Sequence, residues 1–440
     1  MDVSRRGFVA GGAASALSIA LVGSLDSVFT ASASAKTGKA LGYGSLIPDP
    51  AGVLDLPKGF SYKMISAVGE DIGDGAQVLG AHDGMTTFPG SRPGRTRLVR
   101  NAEQDSDGVK PVAADRLVYD PATFGGTMTL ELDRDNNLVH QEVSLAGTVR
   151  NCSGGRTPWG TWLTCEETSG IESQTKPHGW VFEVDPTGRR TVAEPIEPLG
   201  RFEHEAIAVD PHTHVAYLTE DSADPFGLLY RFRPKNRHGG YHSYQAGGAL
   251  EAMLVPDLPD LSVVQEPGTR FRNVRWVEVP DPSAATDPTR TQFGTITRSE
   301  KLEGASWDVR RRSVVIVASF ASAENGSPGT HSGQVWRYTP RTNTLELELV
   351  FKPGGQFDGP DNITVSPFGG GVIMAEDGTG EQFLVGTTGD FKPFHVARNA
   401  FNGSEFAGVT FSPDGRTLFA NRQEPGVTFA ITGPWQHLKD

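Results

Sequence analysis

The sequence is poor in positive charge. Its 440 residues carry 40 Lys and Arg against 53 Asp and Glu, a net charge of −13, and no basic stripe. That excludes a phosphate-neutralising nucleic-acid surface. Long apolar runs are missing too. The only candidate, Val9 to Val22, falls short of the ~20 residues of a spanning helix, so no stable membrane insertion is expected. There is no G-x-S-x-G elbow, P-loop, H-E-x-x-H or C-x-x-C word, and nothing recommends a Ser-His-Asp triad, which has no fixed spacing. No long amphipathic helix pattern occurs. Only two cysteines are present, Cys152 and Cys165. What abounds is glycine, 53 residues, and proline, 30 residues. That composition reads as short strands joined by many turns.

The N-terminus has the form of an export signal. Ser4-Arg5-Arg6-Gly7-Phe8-Val9 is a twin-arginine pattern, followed by the mild apolar run and by Ala31-Ser32-Ala33-Ser34-Ala35. Residues 1–35 are expected to be a signal peptide recognised by the twin-arginine machinery, and 36–54 a linker or N-terminal arm. The mature protein is then periplasmic or secreted. Because that route carries folded proteins, a metal loaded beforehand is a natural expectation. Residues 55–440 read as one domain, with 235–291 a long Pro-rich insertion covering one face.

Within that domain one phrase recurs. GWVFEVDPTGRR, EAIAVDPHTHVAYLTED, GASWDVRRRSVVIVASF, NITVSPFGGGVIMAED and AGVTFSPDGRTLFANRQ each join an alternating strand, a turn and usually a second strand ending in a polar group. The 46 residues from Pro367 to Pro413 match one four-stranded blade. An all-β propeller is the favoured architecture, since closing a ring of blades removes free sheet edges. A pair of β-sandwiches is the alternative.

In a propeller, strand ends converge on the central channel, so polar residues there are site candidates. The stretch GTVRNCSGGRTPWGTWLTCEE, Gly147 to Glu167, holds both cysteines and the adjacent Glu166 and Glu167. Its RNCSGGRTPWG half is rich in turn formers and TWLTCEE alternates like a strand. Further candidates are His82, Asp83, Asn101, Glu103, Glu203-His204-Glu205, Arg298, Glu300, Lys301, Glu303, Asp358, Asp361, Asn362, Glu376-Asp377 and Glu405. Carboxylates and amide oxygens suit calcium and other hard cations, while a thiolate adds capacity for a transition metal. Each has a plainer reading. The cysteines, 13 residues apart in an exported chain, could pair as a disulfide, His204 could be a structural histidine, and a lone acid near a turn could be a cap. A one-residue register shift exchanges Glu166 with Glu167.

The twin-arginine leader, GVLDLPKGF, AHDGM, the NCSGGRTPWGTWLTCEE stretch, GRFEHEAIAVDP, LEGASW, GQVWRYTP, DGPDNITVSP and GVTFSPDGRTLFANRQEPG, in that order, resemble the PhoX-type alkaline phosphatases. The resemblance implies a six-bladed propeller, calcium and iron at the channel mouth, and hydrolysis of small phosphate monoesters; a monomer is expected. Carried over by motif, Cys152 would ligate iron. Glu205, Glu303, one of Glu166 and Glu167, Asp361 and Asn362 would complete the metal site, and Asn101 would lie near the phosphate. Two positions depart from the pattern. Asn101-Ala102-Glu103 stands where asparagine-histidine-glutamate is expected, and Lys301 where a phosphate-clamping arginine is expected, with Arg298 three residues earlier. Lysine offers a point charge rather than a bidentate fork. A calcium-dependent propeller lactonase or esterase, and a non-enzymatic calcium-stiffened binding propeller, are the rival readings.

Overall fold

A computed structural model describes residues 41–369 and 371–439. The signal peptide and the start of the expected linker lie outside the described residues. Six sheets form six blades, and in blades I to III the earliest strand is innermost, while blades IV, V and VI take an outer strand from an earlier part of the chain. The innermost strands are His82–Pro89 (blade I), Asn151–Arg156 (II), His204–Val209 (III), Leu302–Asp308 (IV), Pro360–Val365 (V) and Phe406–Phe411 (VI). They touch their neighbours in a closed ring, with VI against I. Among the described residues the helical elements are 3-10 turns of three or four residues. The six-bladed all-β propeller is therefore what the chain forms.

Both faces of each blade are covered, and this shows in strands buried along their whole length, such as Trp162–Glu166 and Ser313–Ala318. The apolar side chains fall into six clusters, one between each pair of neighbouring blades. Phe88, Leu145 and Phe182 join I to II, whereas Leu163, Ile207 and Tyr230 join II to III. Tyr217, Ile316 and Trp336 join III to IV, and Val317, Val335 and Met374 join IV to V. Ile373, Leu418 and Phe429 join V to VI, while Met85, Leu98 and Phe419 close VI onto I. Each buried Leu, Ile or Phe contributes roughly 1.5–3 kcal/mol of transfer free energy.

The ring is closed by the N-terminal part of the chain. Ser61–Ala67 pairs antiparallel with Val427–Thr432 as the outer strand of blade VI. Leu54–Pro57 then joins the outer edge of blade V at Arg398 and Asn399, and Leu46–Ile47 lies outside it. The described part of the expected linker is thus folded. Asp49 anchors it, accepting from the Val53 and Leu54 N–H groups and the Tyr62 hydroxyl.

The 235–291 stretch is not one insertion. It contains Gly248–Leu254 and Arg275–Glu278, the outer two strands of blade III, and Arg270–Phe271, the outer edge of blade IV. Its prolines sit between these strands and after them, which masked the pairing pattern. The SGGR word likewise belongs to a strand, not a turn. A Cβ on Gly154 would lie 2.0 Å from the Leu163 carbonyl oxygen, and one on Gly155 1.9 Å from that of Ile207. Gly154 is there because the next strand of its own blade lies against it, and Gly155 because blade III closes on blade II.

Candidate metal centre

One register feature repeats around the ring and builds the site. In every blade the innermost strand opens with a paired residue and soon slips register: His82 to Met85, Asn151 to Gly154, His204 to Ile207, Leu302 to Ala305 and Pro360 to Ile363, and in blade VI, where Phe406 and then Ala407 pair, Ala407 to Thr410. Such a bulge re-aims the side chain within it. The residue following the first pair is Asp83, Cys152, Glu205, Glu303, Asp361 and Ala407 in blades I to VI. Five of six are metal-ligating types.

A second ring comes from the end of each second strand. The N–H groups of Glu103, Glu167, Asp221, Ser319, Asp377 and Gln423 donate to the carbonyls of Ala81, Arg150, Glu203, Lys301, Gly359 and Glu405, at 2.7–3.2 Å. This one bond, made six times, sets the second ring against the first.

The rings meet closely. Ligand atoms of Cys152, Glu167 and Glu205 lie within 4.8 Å of one another, and so do those of Glu205, Glu303 and Asp361. Asp83 is buried, and its Oδ1 has no hydrogen-bond partner among the described residues. Burial first, and then the neighbouring acids, push the carboxyls of Asp83, Glu167 and Glu205 well above the usual range. Glu303 is raised likewise, although Lys301 opposes the shift. Asp361 is raised to about 7 by burial and by Asp377. The Cys152 thiol is also raised, by burial and then by Glu205 and Glu167. Its sulfur lies 3.3 Å from the His204 carbonyl oxygen and 3.6 Å from that of Glu205. A buried thiol, an orphaned carboxylate oxygen and mutually repelling acids are a donor set that a multivalent cation would satisfy.

The structure separates residues that the sequence could not. Glu166 turns away from the mouth. Its carboxylate accepts from the N–H groups of Val149, Gly179 and Trp180 at 2.9–3.0 Å and from His178 at 2.6 Å. Glu220 and Glu376 occupy the same register position and likewise hold loops, through Tyr230 and Leu228 in one case and Phe383 in the other. In each acidic pair the first residue is a clamp and the second, Glu167, Asp221 or Asp377, faces the mouth. Glu300 is a clamp too, bound to the Ser322 N–H and the Ser327 hydroxyl, which leaves Glu303 as the inward acid.

Asn101 is not available to a phosphate. Its amide donates to the Cys152 and Ser153 carbonyls at 3.2 and 2.7 Å, and its oxygen accepts from Trp162 Nε1 and Thr164 Oγ1, each at 2.9 Å. Fully buried, it ties blade I to blade II behind the cysteine. Asn362 donates to Asp361 Oδ1 at 2.9 Å while its oxygen accepts from the Gly408 N–H. It therefore orients Asp361. Arg298 braces loops through the Phe226 and Arg290 carbonyls, both at 2.8 Å, rather than entering the cluster. Lys301 does enter it, 3.0 Å from Asp221 and 2.9 Å from Glu303. The two cysteines are free, buried thiols, and no disulfide forms. His204 is held neutral by burial, its pKa lowered to about 3, and its Nε2 meets the Gly200 carbonyl.

Asp221 was missed. The signal for it was the acidic end of the YLTED strand, in phase with TWLTCEE. The central cavity, about 430 Å³, lies behind the ligands, lined by downstream residues of the inner strands such as Thr86, Thr157, Trp307 and Thr410. Between cavity and ligands, Gly84, Gly304 and Gly408 let neighbouring strands close up. A Cβ on Gly304 would stand 2.5 Å from the Asp361 carbonyl oxygen.

Fold and site together define a six-bladed propeller whose mouth is a thiol and carboxylate cluster capable of holding metal. The chain matches the family described as alkaline phosphatase PhoX over residues 41–142 and 136–426. It belongs to that family, and membership places it among the phosphoric monoester hydrolases. Its structure is similar to that of Pseudomonas fluorescens PhoX in complex with vanadate, a transition state analogue, with a TM-score of 0.68 at 18% identity, covering 90% of this chain and 98% of that one. A weaker likeness joins it to XC5397, a gluconolactonase from Xanthomonas campestris, with a TM-score of 0.43 at 11% identity over 89% and 98% of the two chains. That score carries no argument for a lactonase. TolB from Acinetobacter baumannii follows at 0.39 and 12% identity, over 79% and 66%. No curated protein sequence matches the chain.

Proposed function

We propose that this hydrolase is exported by the twin-arginine route and cleaves phosphate monoesters outside the cytoplasm, using calcium and iron held at the propeller mouth. The carrying observation is the convergence of Cys152, Glu167 and Glu205, and of Glu205, Glu303 and Asp361, on two points that share Glu205. Iron suits the group with the thiolate and calcium the all-carboxylate group, since soft sulfur selects the transition metal and hard oxygen the alkaline earth. When bound, such cations polarise phosphoryl oxygens and stabilise charge on the departing group.

The chain's own residues supply the rest. An acidic mouth repels a phosphate dianion until cations reverse its sign, so affinity for substrate depends on the ligands being ionised and loaded. Asn362 holds Asp361 in one orientation, and Asn101 fixes the backbone carrying Cys152. Ionisation of the raised carboxyls favours alkaline pH. The test is hydrolysis of p-nitrophenyl phosphate by the exported protein, with orthovanadate as inhibitor. Chelator-sensitive, vanadate-sensitive turnover is expected. Turnover of lactones without phosphate-ester hydrolysis would overturn the proposal.

A further inference from the structure

Blade IV combines two departures from the acidic pattern of the ring. Where blades I, II, III and V end the second strand in Glu103, Glu167, Asp221 and Asp377, blade IV has Ser319 and blade VI has Gln423. Before the innermost strand, blades III and VI place Glu203 and Glu405 and blade II places Arg150, which pairs with Asp105, whereas blade IV has Lys301, which pairs with two acids of the mouth. One acid is absent from the blade and one cation is added.

The lysine is built into position. Its backbone is left-handed, φ +46°, like Ala81, Arg150 and Gly359 at the equivalent positions, and its carbonyl accepts the Ser319 N–H at 2.9 Å. From there Nζ reaches Asp221 Oδ2 of blade III at 3.0 Å and Glu303 Oε1 of its own blade at 2.9 Å. It bridges two blades through one carboxylate of each ring. That is the place and the ligand type of a divalent ion, except that ammonium-to-oxygen distances exceed the ~2.3–2.6 Å of calcium coordination. Glu303 also belongs to the group with Glu205 and Asp361, so a cation there shares a ligand with Lys301.

We infer that the Lys301 ammonium is a tethered cation of the centre, occupying a position between Asp221 and Glu303 that would otherwise take one divalent ion. The inference rests on the metal-centre reading. It makes the bound-metal count one lower than the carboxylates could support, and it leaves Lys301 engaged by acids rather than free to clamp a phosphate.

Calcium equivalents bound by the full mature chain test this directly, measured by titration calorimetry and elemental analysis. Lys301→Met keeps the aliphatic stem and the same backbone demand but removes the charge. It is expected to bind one more equivalent of calcium than the wild type. Lys301→Arg keeps the charge and the wild-type count. Adding Asp221→Asn to Lys301→Met abolishes the extra equivalent. An unchanged count in Lys301→Met, or a count that falls, overturns the inference; melting temperatures show that each variant is folded. A wild type that binds no calcium or iron would instead overturn the metal centre itself, a distinguishable failure.

Discussion

Glu166 and Glu167 are neighbours with opposite duties, and the difference can be measured. Glu166 satisfies three backbone N–H groups and His178. Glu166→Gln is therefore expected to lower stability by about 1–3 kcal/mol, because an amide cannot accept all four donors and some are left buried and unpaired. Its metal content should hold. Glu167→Gln should do the reverse, losing metal affinity at least tenfold with little change in melting temperature. Metal analysis beside thermal melts checks both, and the same pattern in the two variants would contradict the assignment. Cys152→Ala should remove iron and cut turnover at least a hundredfold while calcium stays. Residue chemistry stood out in the sequence where the type was distinctive, as for Cys152, whereas Glu300 and Glu303, like Glu166 and Glu167, could not be told apart until their hydrogen-bond partners were seen. It was not legible for Asn101, whose residue type fits a ligand or a brace equally. Only its four hydrogen-bond partners decide.

The element that matters is the bulged start of each innermost strand. It turns one side chain per blade toward the axis, and small residues behind it let the strands approach. Gly304→Ala would drive a Cβ against the Asp361 carbonyl, which backbone cannot evade cheaply. A destabilisation of about 1–3 kcal/mol is expected, with calcium affinity falling because Asp361 shifts. Urea unfolding and calcium titration read the two effects, and neither effect appearing would dismiss the close-packed floor. The sequence revealed the hairpin phrase itself, since Asp-Pro and Ser-Pro turns punctuate alternating strands. The bulges left no such mark. SGGR, NCSG and HDGM look like turns until the neighbouring blade that demands the glycine is in place. The outer strands of blade III were obscured for a related reason, because prolines in their connections interrupt the alternation.

At the scale of the molecule, folding brings many acids to one mouth and stores repulsion there. Without metal, Asp361 titrates near 7 and Glu376 near 9, both raised chiefly by burial. Carboxyls in the unfolded chain titrate near ~4, so above that the folded state binds more protons, and stability falls as pH rises through the folded values. The buried histidines His82 and His204 act in the opposite sense, with lowered pKa, but only below ~6.5. The metal-free protein is therefore expected to lose about 1–3 kcal/mol between pH 6.5 and 8, and saturating calcium to shrink that slope. A metal-free protein more stable at pH 8 than at 6.5 would contradict this. Ring closure by Ser61–Ala67 against the last strand lay beyond the sequence reading, since it joins residues at opposite ends of the chain.

The most direct test of the central claim is elemental analysis of protein exported through its own twin-arginine leader, paired with p-nitrophenyl phosphate hydrolysis before and after chelation. Iron together with calcium, and turnover that disappears on chelation and returns with metal, is the predicted result. Undiminished turnover from protein stripped of both metals would contradict the account.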